Sequence, residues 1–373
     1  MTLPPEAWAA ALASLPLMGP ARQLALMRRW SPVEAWEQVR ERGWLRVAEV
    51  VETARPDPAG VASLWSSAAS AIDVAALWQR YVDAGVGVAA LGSPAYPAPL
   101  ADDIEPPPTL FLRGDPSAIS GPRVAIVGTR SASRYGIDVA YEFGKELSAA
   151  GVAVISGLAL GIDGAAHSGA LAAGTTAPIA VVGSGLDVIY PKRHAVLWRE
   201  IERRGVVLGE APLGAAPERW RFPARNRLIA ALADILVVIE SGEQGGSMHT
   251  VTEAERRGRP VFAVPGPVRS PSSAGTNRLL RDGAHAACDV SDVLVGLGMS
   301  SALRRELRDP RPAAAGDDLV VLDALAWQPA SLEQLASRTG LALGDLSLAL
   351  LRLREQGWVD ERGGWYERVA RAE

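Results

Sequence analysis

Six short runs set the architecture of this chain: Val124-Ala-Ile-Val127, Val152-Ala-Val-Ile155, Pro178-Ile-Ala-Val-Val182, Val206-Val-Leu208, Ile235-Leu-Val-Val-Ile239 and Pro260-Val-Phe-Ala-Val264. Each is β-branched or otherwise apolar throughout, with no polar alternation. Such runs suit strands buried on both faces, which is the situation in a parallel sheet. Between them lie helix-length stretches at Tyr135–Ala150, Asp163–Ala173, His194–Arg204, Arg227–Ala233 and Met248–Arg257. Strand and helix alternate, so the middle of the chain is expected to be an α/β domain, Rossmann-like and doubly wound, with a mainly parallel sheet.

That domain does not account for 373 residues, and a single core stops growing near roughly 250–300 residues, so two or three domains are expected. Residues 1–85 read as short helices. Apolar positions recur at helical spacing in residues 21–30 and 32–39, Ser31 is placed to cap the second, and Pro32 suits its first turn. Between two of these helices, Leu15-Pro-Leu-Met-Gly-Pro20 resembles a degenerate helix-hairpin-helix turn, a device that holds a DNA phosphate on backbone amides; a small helical packing module is the plainer reading. Residues 94–108 are proline-rich and aperiodic, a connecting arm at the start of the α/β domain, which is assigned to 86–297. Residues 298–316 read as a linker. Residues 317–373 carry three helical stretches, a capping-box pattern at Ser331-Leu-Glu-Gln334, a helix stop at Gly340 and a hairpin around Gly363-Gly364, the pattern of a winged helix.

Composition removes several function classes. The single cysteine, Cys288, excludes an intramolecular disulfide or a multi-cysteine metal site, fits a reducing cytoplasm, and is expected to be a small buried residue. The N-terminus lacks the basic region of a signal peptide, and no apolar run reaches the ~18 residues of a membrane span, so no membrane association is expected. A net charge of −4 argues against coating nucleic acid by bulk charge, so any polyanion site must be local. His167, His194, His249 and His285 lack metal-ligand spacing and are read as structural. Asp163 and Asp187 follow glycine turns and are read as loop-ordering. No metal and no cofactor are expected.

In open α/β sheets ligands bind beyond the carboxyl ends of the strands. Those ends carry Val127-Gly-Thr-Arg-Ser-Ala-Ser133, Ser156-Gly-Leu-Ala-Leu-Gly-Ile-Asp163, Gly183-Ser-Gly-Leu-Asp187 and Glu240-Ser-Gly-Glu-Gln-Gly-Gly-Ser247. Taken singly, each loop is ordinary turn punctuation. Together, with Thr129, Ser131, Ser184 and Ser247 beside the glycines, they read as a rim built for phosphate. A nicotinamide dinucleotide fits badly, because the first loop is not G-x-G-x-x-G and no acid follows the second strand; no P-loop exists anywhere. Arg130 offers bidentate phosphate contact or stacking on a base. From residue 192 to 227 nine Lys or Arg (including Lys192, Arg219, Arg225 and Arg227) face four Glu, with Tyr190, Trp198, Trp220 and Phe222 interleaved. Basic groups that track a backbone, and aromatic faces on which bases stack, are what a single-strand binder needs. The alternative is a packed core for the aromatics and a solvated surface for the arginines.

Read together, Val124-Ala-Ile-Val-Gly-Thr-Arg130, Ser156 to His167, Gly183 to Pro191, Phe222-Pro-Ala-Arg-Asn-Arg-Leu-Ile-Ala230 and Val261-Phe-Ala-Val-Pro-Gly266 closely resemble the bacterial DNA-processing family DprA, also called Smf. The match spans about residues 86–295, and the flanking parts resemble three-domain members. The resemblance implies an extended Rossmann domain that binds single-stranded DNA. It also implies a homodimer that loads RecA recombinase onto incoming strands during natural transformation, without enzymatic turnover. The resemblance maps a phosphate pocket onto Gly128, Thr129, Arg130 and Ser131, a strand-binding rim onto Arg219 and Phe222, and a shared motif onto Arg225, Asn226 and Arg227; the glycine loops and basic run read above add Gly157, Gly183, Ser184, Gly185, Lys192, Gly246 and Ser247 to the expected strand-binding set. The implied dimer contact lies at Leu279, Leu280 and Ala284. Two departures stand out: Glu243 to Thr250 replaces the family's Ser-Gly-Ser-Leu-Ile-Thr, and Leu15 to Gly19 lacks the first hairpin glycine. Two other functions compete. Gly245-Gly246-Ser247, Thr250 and Glu253 echo phosphoribohydrolases that cut nucleoside monophosphates, without the motif proline or the paired glutamate. The third helix of the tail could read duplex DNA, although Arg352 and Arg354 sit near its C-terminus, away from where such helices contact bases.

Overall fold

The structure is a computed structural model and describes residues 2–299, 311–326 and 328–369. Contacts divide the chain at residue 301 into two compact units. The first opens with six helices: α1 (Pro5–Ala13), α2 (Pro20–Met27), α3 (Pro32–Arg40), α4 (Ala48–Thr53), α5 (Pro58–Ala71) and α6 (Val74–Asp83). The expected start of α3 holds: Ser31 accepts the Glu34 amide, Glu34 returns the bond to the Ser31 N–H at 2.9 Å, and Pro32 fills the first turn. Among the described residues no single helix is long and apolar enough to cross a membrane.

The sheet follows, as β1 (Gly87–Ala90), α7 (Ala98–Ala101), β2 (Thr109–Gly114), β3 (Arg123–Val127), α8 (Arg134–Ala149), β4 (Ala153–Ser156), α9 (Ile162–Ala173), β5 (Ile179–Val181), α10 (Ala195–Arg204), β6 (Val206–Gly209), α11 (Arg221–Leu232), β7 (Ile235–Val238), α12 (Ser247–Arg256), β8 (Val261–Ala263), α13 (Ala274–Arg281), β9 (His285–Ala286) and α14 (Val290–Gly296). The nine strands lie in the order β1-β2-β6-β5-β4-β3-β7-β8-β9. From β6 to β9 every pairing is parallel, as the unbroken apolar runs require. The two strands at the other edge are antiparallel. They flank the proline-rich segment, so that segment is no free arm. It closes a β1–β2 hairpin and is strapped down by Arg257 to Asp103 (2.8 Å) and Arg256 to Glu105 (2.9 Å).

Both faces of the sheet are covered. One face packs on α11 and α12 through Leu228, Ile229, Leu232 and Val251. The other packs on α8, α9 and α14. On that face, at the antiparallel edge, Ala10 and Tyr81 of the N-terminal helices share a core with Phe111, Val182, Trp198 and Val207. Two glycines set the spacing of α8 and α9: a Cβ at Gly144 would stand 2.1 Å from the Ala166 carbonyl, and one at Gly169 1.9 Å from that of Tyr141. Cys288 is exposed rather than buried, because its backbone is drawn into the cap of α14, where its N–H donates to Asp292 at 2.7 Å.

The second unit contains α15 (Asp317–Leu325), β10 (Ala330–Ser331), α16 (Leu332–Thr339), α17 (Leu343–Glu355), β11 (Val359–Arg362) and β12 (Trp365–Arg368), a winged helix. Its Ser331–Gln334 capping box is formed, and Gly340 ends α16 at φ 68°. Gly363 and Gly364, at φ 62° and 81°, make the hairpin turn. The third strand, β10, is too short to leave a sequence pattern. Most of the expected linker lies outside the described residues.

Candidate nucleic-acid interface

The stretch Trp220 to Leu228 is itself helical. Its proline falls in the first turn of α11, where no N–H is needed, so the helix begins at Arg221 and not at Arg227. Helical spacing then sorts the residues. Phe222 turns toward the ends of β4 and β5, while Arg225 goes inward. A cavity of about 80 Å³ opens there, lined by Arg130, Gly157, Gly183, Ser184, Tyr190, Phe222 and Arg225 among others. Six of the residues expected at the rim are thus brought together. Phe222 stands between Tyr190 (ring centroids 5.5 Å) and the Arg130 guanidinium, 5.1 Å from its ring centre. Arg130 and Lys192 are exposed and make no ion pair among the described residues.

Other expected contacts are placed differently. Only 6% of Arg225 is exposed; it donates to the Val181 carbonyl at 2.7 Å and sits beneath the Gly157 loop. Burial pulls its guanidinium down to about 10, although the Asp163 carboxylate opposes this. Asp163, fully enclosed, accepts the amide of Gly157 at 3.1 Å and that of Ala159 at 3.4 Å, so it orders this loop as expected. Burial pushes its carboxyl up against the pull of Arg225. Arg227 faces the opposite way and is occupied by Glu210 and by the Glu105 carbonyl at 2.7 Å. Asn226 reaches the Gly246 carbonyl at 3.4 Å.

The fourth loop does not join the cavity. In the sheet order β7 lies on the far side of β3 from β4 and β5, so the loop after it braces the first loop from behind. The Glu240 carbonyl accepts the Thr129 N–H at 2.7 Å, and its carboxylate accepts the Ser133 N–H at 2.8 Å. Gly128 is packed: a Cβ would lie 2.4 Å from Ile162. Ser247 is buried, bonding Ser241 at 2.7 Å, while Gly246 is exposed. This bracing carries Arg130 and Ser131 outward; Thr129 Oγ1 accepts the Ser131 N–H at 3.2 Å. Gly185 is buried under the loop that follows β6, donating to Ala215. Arg219 is exposed just ahead of α11. Of the expected dimer residues, Leu279 is taken up by the chain's own core, and Leu280 and Ala284 pack partly against it.

Sequence reasoning missed the backbone that shapes the loop beside the cavity. Leu158 holds φ at 54° with its side chain buried. Its carbonyl lies 3.0 Å from His194 Nδ1, which must therefore carry the proton. Ala159, Leu160, Val182 and Pro191 complete the lining. No residue-type pattern marks them, since they act through backbone shape. The enzymatic echo is dispersed: Glu253 pairs with Arg256 and Arg257, Thr250 is buried, and neither lines this cavity. In α17, Arg352 is held by Asp318 at 2.6 Å and Arg354 by Glu361 at 3.1 Å, while Leu343, Leu348 and Leu351 are exposed.

Basic groups outnumber acidic ones here, with Glu218 beside Arg221 (4.0 Å) and Asp163 beside Arg225 as the opposing carboxylates. α11 has no side-chain cap and no acid in its first turn, yet Arg219, Arg221 and Arg225 crowd that end. α10 likewise starts uncapped after Lys192 and Arg193. Basic groups add to the positive end of a helix dipole instead of compensating it, so the rim is arranged for an anion.

Known proteins share this framework. The family described as DNA recombination-mediator protein A matches residues 87–298, and a DprA winged helix domain matches residues 305–364. A putative DNA processing protein DprA of Mycobacterium tuberculosis is 39% identical over 255 residues, 66% of this chain and 64% of that protein, slightly under two thirds of its length. Protein Smf of Escherichia coli is 33% identical over 294 residues, 74% of this chain and 76% of that one. Among solved structures, DprA from Streptococcus pneumoniae superposes with a TM-score of 0.66 at 29% identity, covering 79% of this chain and 98% of that one. DNA processing protein A from Helicobacter pylori, solved for its single-stranded DNA binding mode, gives 0.51 at 30% identity, covering 56% and 95%. With the family model matching residues 87–298 and the Escherichia coli relative 33% identical over 74% of the chain, the chain belongs to the DNA recombination-mediator protein A family.

Proposed function

We propose that this protein binds single-stranded DNA across the ends of β4 and β5. The observation that carries this is the cluster of Tyr190, Phe222 and Arg130, two tilted rings with a guanidinium over one of them, at the mouth of a cavity flanked by uncapped, basic helix ends. A base stacks on an aromatic face whatever its identity, and guanidiniums and backbone amides take the phosphates, so binding is tolerant of sequence and sensitive to salt. The Helicobacter pylori relative, at 30% identity, binds single-stranded DNA, which supports the same reading here. The winged helix is assigned an auxiliary or protein-docking role, because both arginines of α17 are engaged within the unit and its exposed face is apolar.

The finer reading is that the protein works in the cytoplasm as a homodimer, protects incoming single strands and loads RecA onto them during natural transformation, without turnover of its own. The family resemblance supports it. The deciding experiment is fluorescence anisotropy with labelled oligo-dT, competed by duplex of equal length across a salt series. Preferential, salt-weakened binding of the single strand is expected. Absence of binding sinks the proposal and directs attention to release of free base from nucleoside monophosphates. For the dimer, Leu280→Glu is expected to halve the mass in light scattering; an unchanged mass rejects the α13 seam.

A further inference from the structure

A second, larger cleft lies against the small cavity. It has a volume of about 630 Å³, within the ~300–1,000 Å³ span of ligand clefts. The N-terminal helices form one wall, through Leu15, Leu17, Met18, Gly19 and Arg22. The loop after β6 forms the other, through Pro212 to Ala215, and the exposed side of α11 closes it with Trp220 and Arg221. Val182, Gly183 and Arg225 line both cavities, so the two adjoin.

Both walls are fixed in advance. The Leu15 to Gly19 turn is pinned by Trp65 Nε1 donating to the Pro16 carbonyl at 2.9 Å and by Arg22 donating to that of Leu17 at 2.7 Å. These bonds hold Leu17 at φ 60° with 65% of it exposed at the lip of the cleft. An apolar residue kept in a left-handed conformation and still turned outward is strain that packing does not explain. Across the cleft, the Gly214 N–H donates to Asp187 at 2.8 Å and the Leu213 N–H to Tyr81 at 3.2 Å. Trp220 is 53% exposed, with the Arg221 guanidinium 4.5 Å from its ring centre. Arg221 Nε is enclosed and makes no hydrogen bond; only the Glu218 carboxylate, which also lines the cleft and accepts the Trp220 indole N–H, stands near it, at 4.0 Å. Trp220, which caps α11, and Phe222 in its first turn thus stand two residues apart, one lining each cavity.

We infer that the cleft takes the continuation of the same DNA strand, with a base on Trp220 against Leu17 and a phosphate at Arg221 in place of its long contact with Glu218. The N-terminal helices would then be part of the strand path. This rests on the single-strand reading above and extends it to a second subsite. It predicts that affinity rises with oligonucleotide length beyond what the small cavity covers.

The test uses the full chain and labelled oligo-dT in a length series, with Trp220→Ala and Gly19→Glu. A Cβ at Gly19 meets nothing within 4 Å, and a carboxylate at the start of α2 suits the helix dipole, so Gly19→Glu is expected to fold. Both variants should lose roughly tenfold affinity for long oligonucleotides and keep wild-type affinity for the shortest that binds. Photocrosslinking from 5-iodouracil within a long oligonucleotide should label the peptide holding Leu15 to Arg22. Wild-type affinity of both variants at every length, or no length dependence in wild type, overturns the subsite. Phe222→Ala separates the two readings. It should weaken short and long strands alike; if it binds all lengths as wild type does while Gly19→Glu loses the long ones, the small cavity fails and the cleft stands.

Discussion

Replacing Gly157 with alanine tests the buried arginine and the cavity together. The new Cβ would lie 1.7 Å from Arg225 Nη1, far inside any contact distance. A guanidinium at the end of a flexible side chain usually swings aside at little cost. This one is buried, bonded to the Val181 carbonyl and set beside Asp163. If it leaves, a charged hydrogen bond worth about 1.5–3 kcal/mol is lost and Asp163 is stranded, which raises the total toward about 3–5 kcal/mol. If the loop retreats instead, the Gly157 amide leaves Asp163, at about 1–3 kcal/mol. Both escapes intrude on a cavity of only about 80 Å³. Gly157→Ala should therefore lose about 2–4 kcal/mol in urea unfolding followed by tryptophan fluorescence. Its anisotropy titration with oligo-dT should show at least a tenfold weaker Kd, about 1.4 kcal/mol. Gly183→Ala is the control: its Cβ would meet the Arg221 carbonyl at 3.3 Å, a mild crowding, so unfolding should shift far less. Wild-type stability and wild-type affinity in Gly157→Ala would refute the placement of Arg225 under this loop.

Arg130→Ala should weaken all single strands alike and lower the salt slope of binding by about 0.7, and Phe222→Ala should lose about 1–3 kcal/mol; an unchanged slope in the first or unchanged affinity in the second removes that residue from the rim. His167 is fully buried, and burial pulls its imidazole from 6.5 down to about 3. Below pH 6.5 the unfolded chain takes up a proton that the folded chain refuses, so this contribution is complete above that pH and is lost as pH falls toward 3. Wild type should lose about 1.3 kcal/mol more than His167→Leu between pH 7 and 5.5, and parallel curves would contradict it. Arg257 and Asp103 have side chains only 3% and 4% exposed. Arg257→Met should cost about 3–5 kcal/mol, and adding Asp103→Leu should recover most of it; failure of that recovery would show the pair is not what holds the strap.

The parallel strands were legible because burial on both faces demands unbroken apolar runs, and Val124 to Val127 or Ile235 to Val238 admit little else. β1 and β2 were not. Gly87 to Ala90 is small and brief, and Thr109 to Gly114 follows a proline cluster that masks it; only their mutual pairing defines them. The winged helix was readable from Ser331, Gly340 and Gly363-Gly364, which act locally through caps and turns. Residue type did single out Arg130, Phe222 and the glycines at the ends of β4 and β5, which the structure gathers around one cavity. It could not assign Arg225 and Arg227 to opposite sides, because that depends on where α11 starts, and Pro223 obscured the start. Nor could it remove Ser247, whose exclusion follows from strand order rather than from its own chemistry.

The shared core of Tyr81, Phe111 and Trp198 bears on how the chain can be taken apart. The helices before residue 86 serve as the lid of the sheet's antiparallel edge. Cutting them away would uncover the aromatic underside of β2 and α10, a wet apolar patch of the kind that makes truncated proteins sticky. A shortened version that behaves well would need polar replacements at Phe111 and Trp198. Equally, an N-terminal piece borrowed from a relative would have to arrive with the matching sole, so the join at residue 85 is a seam in sequence pattern and not a perforation along which the molecule tears.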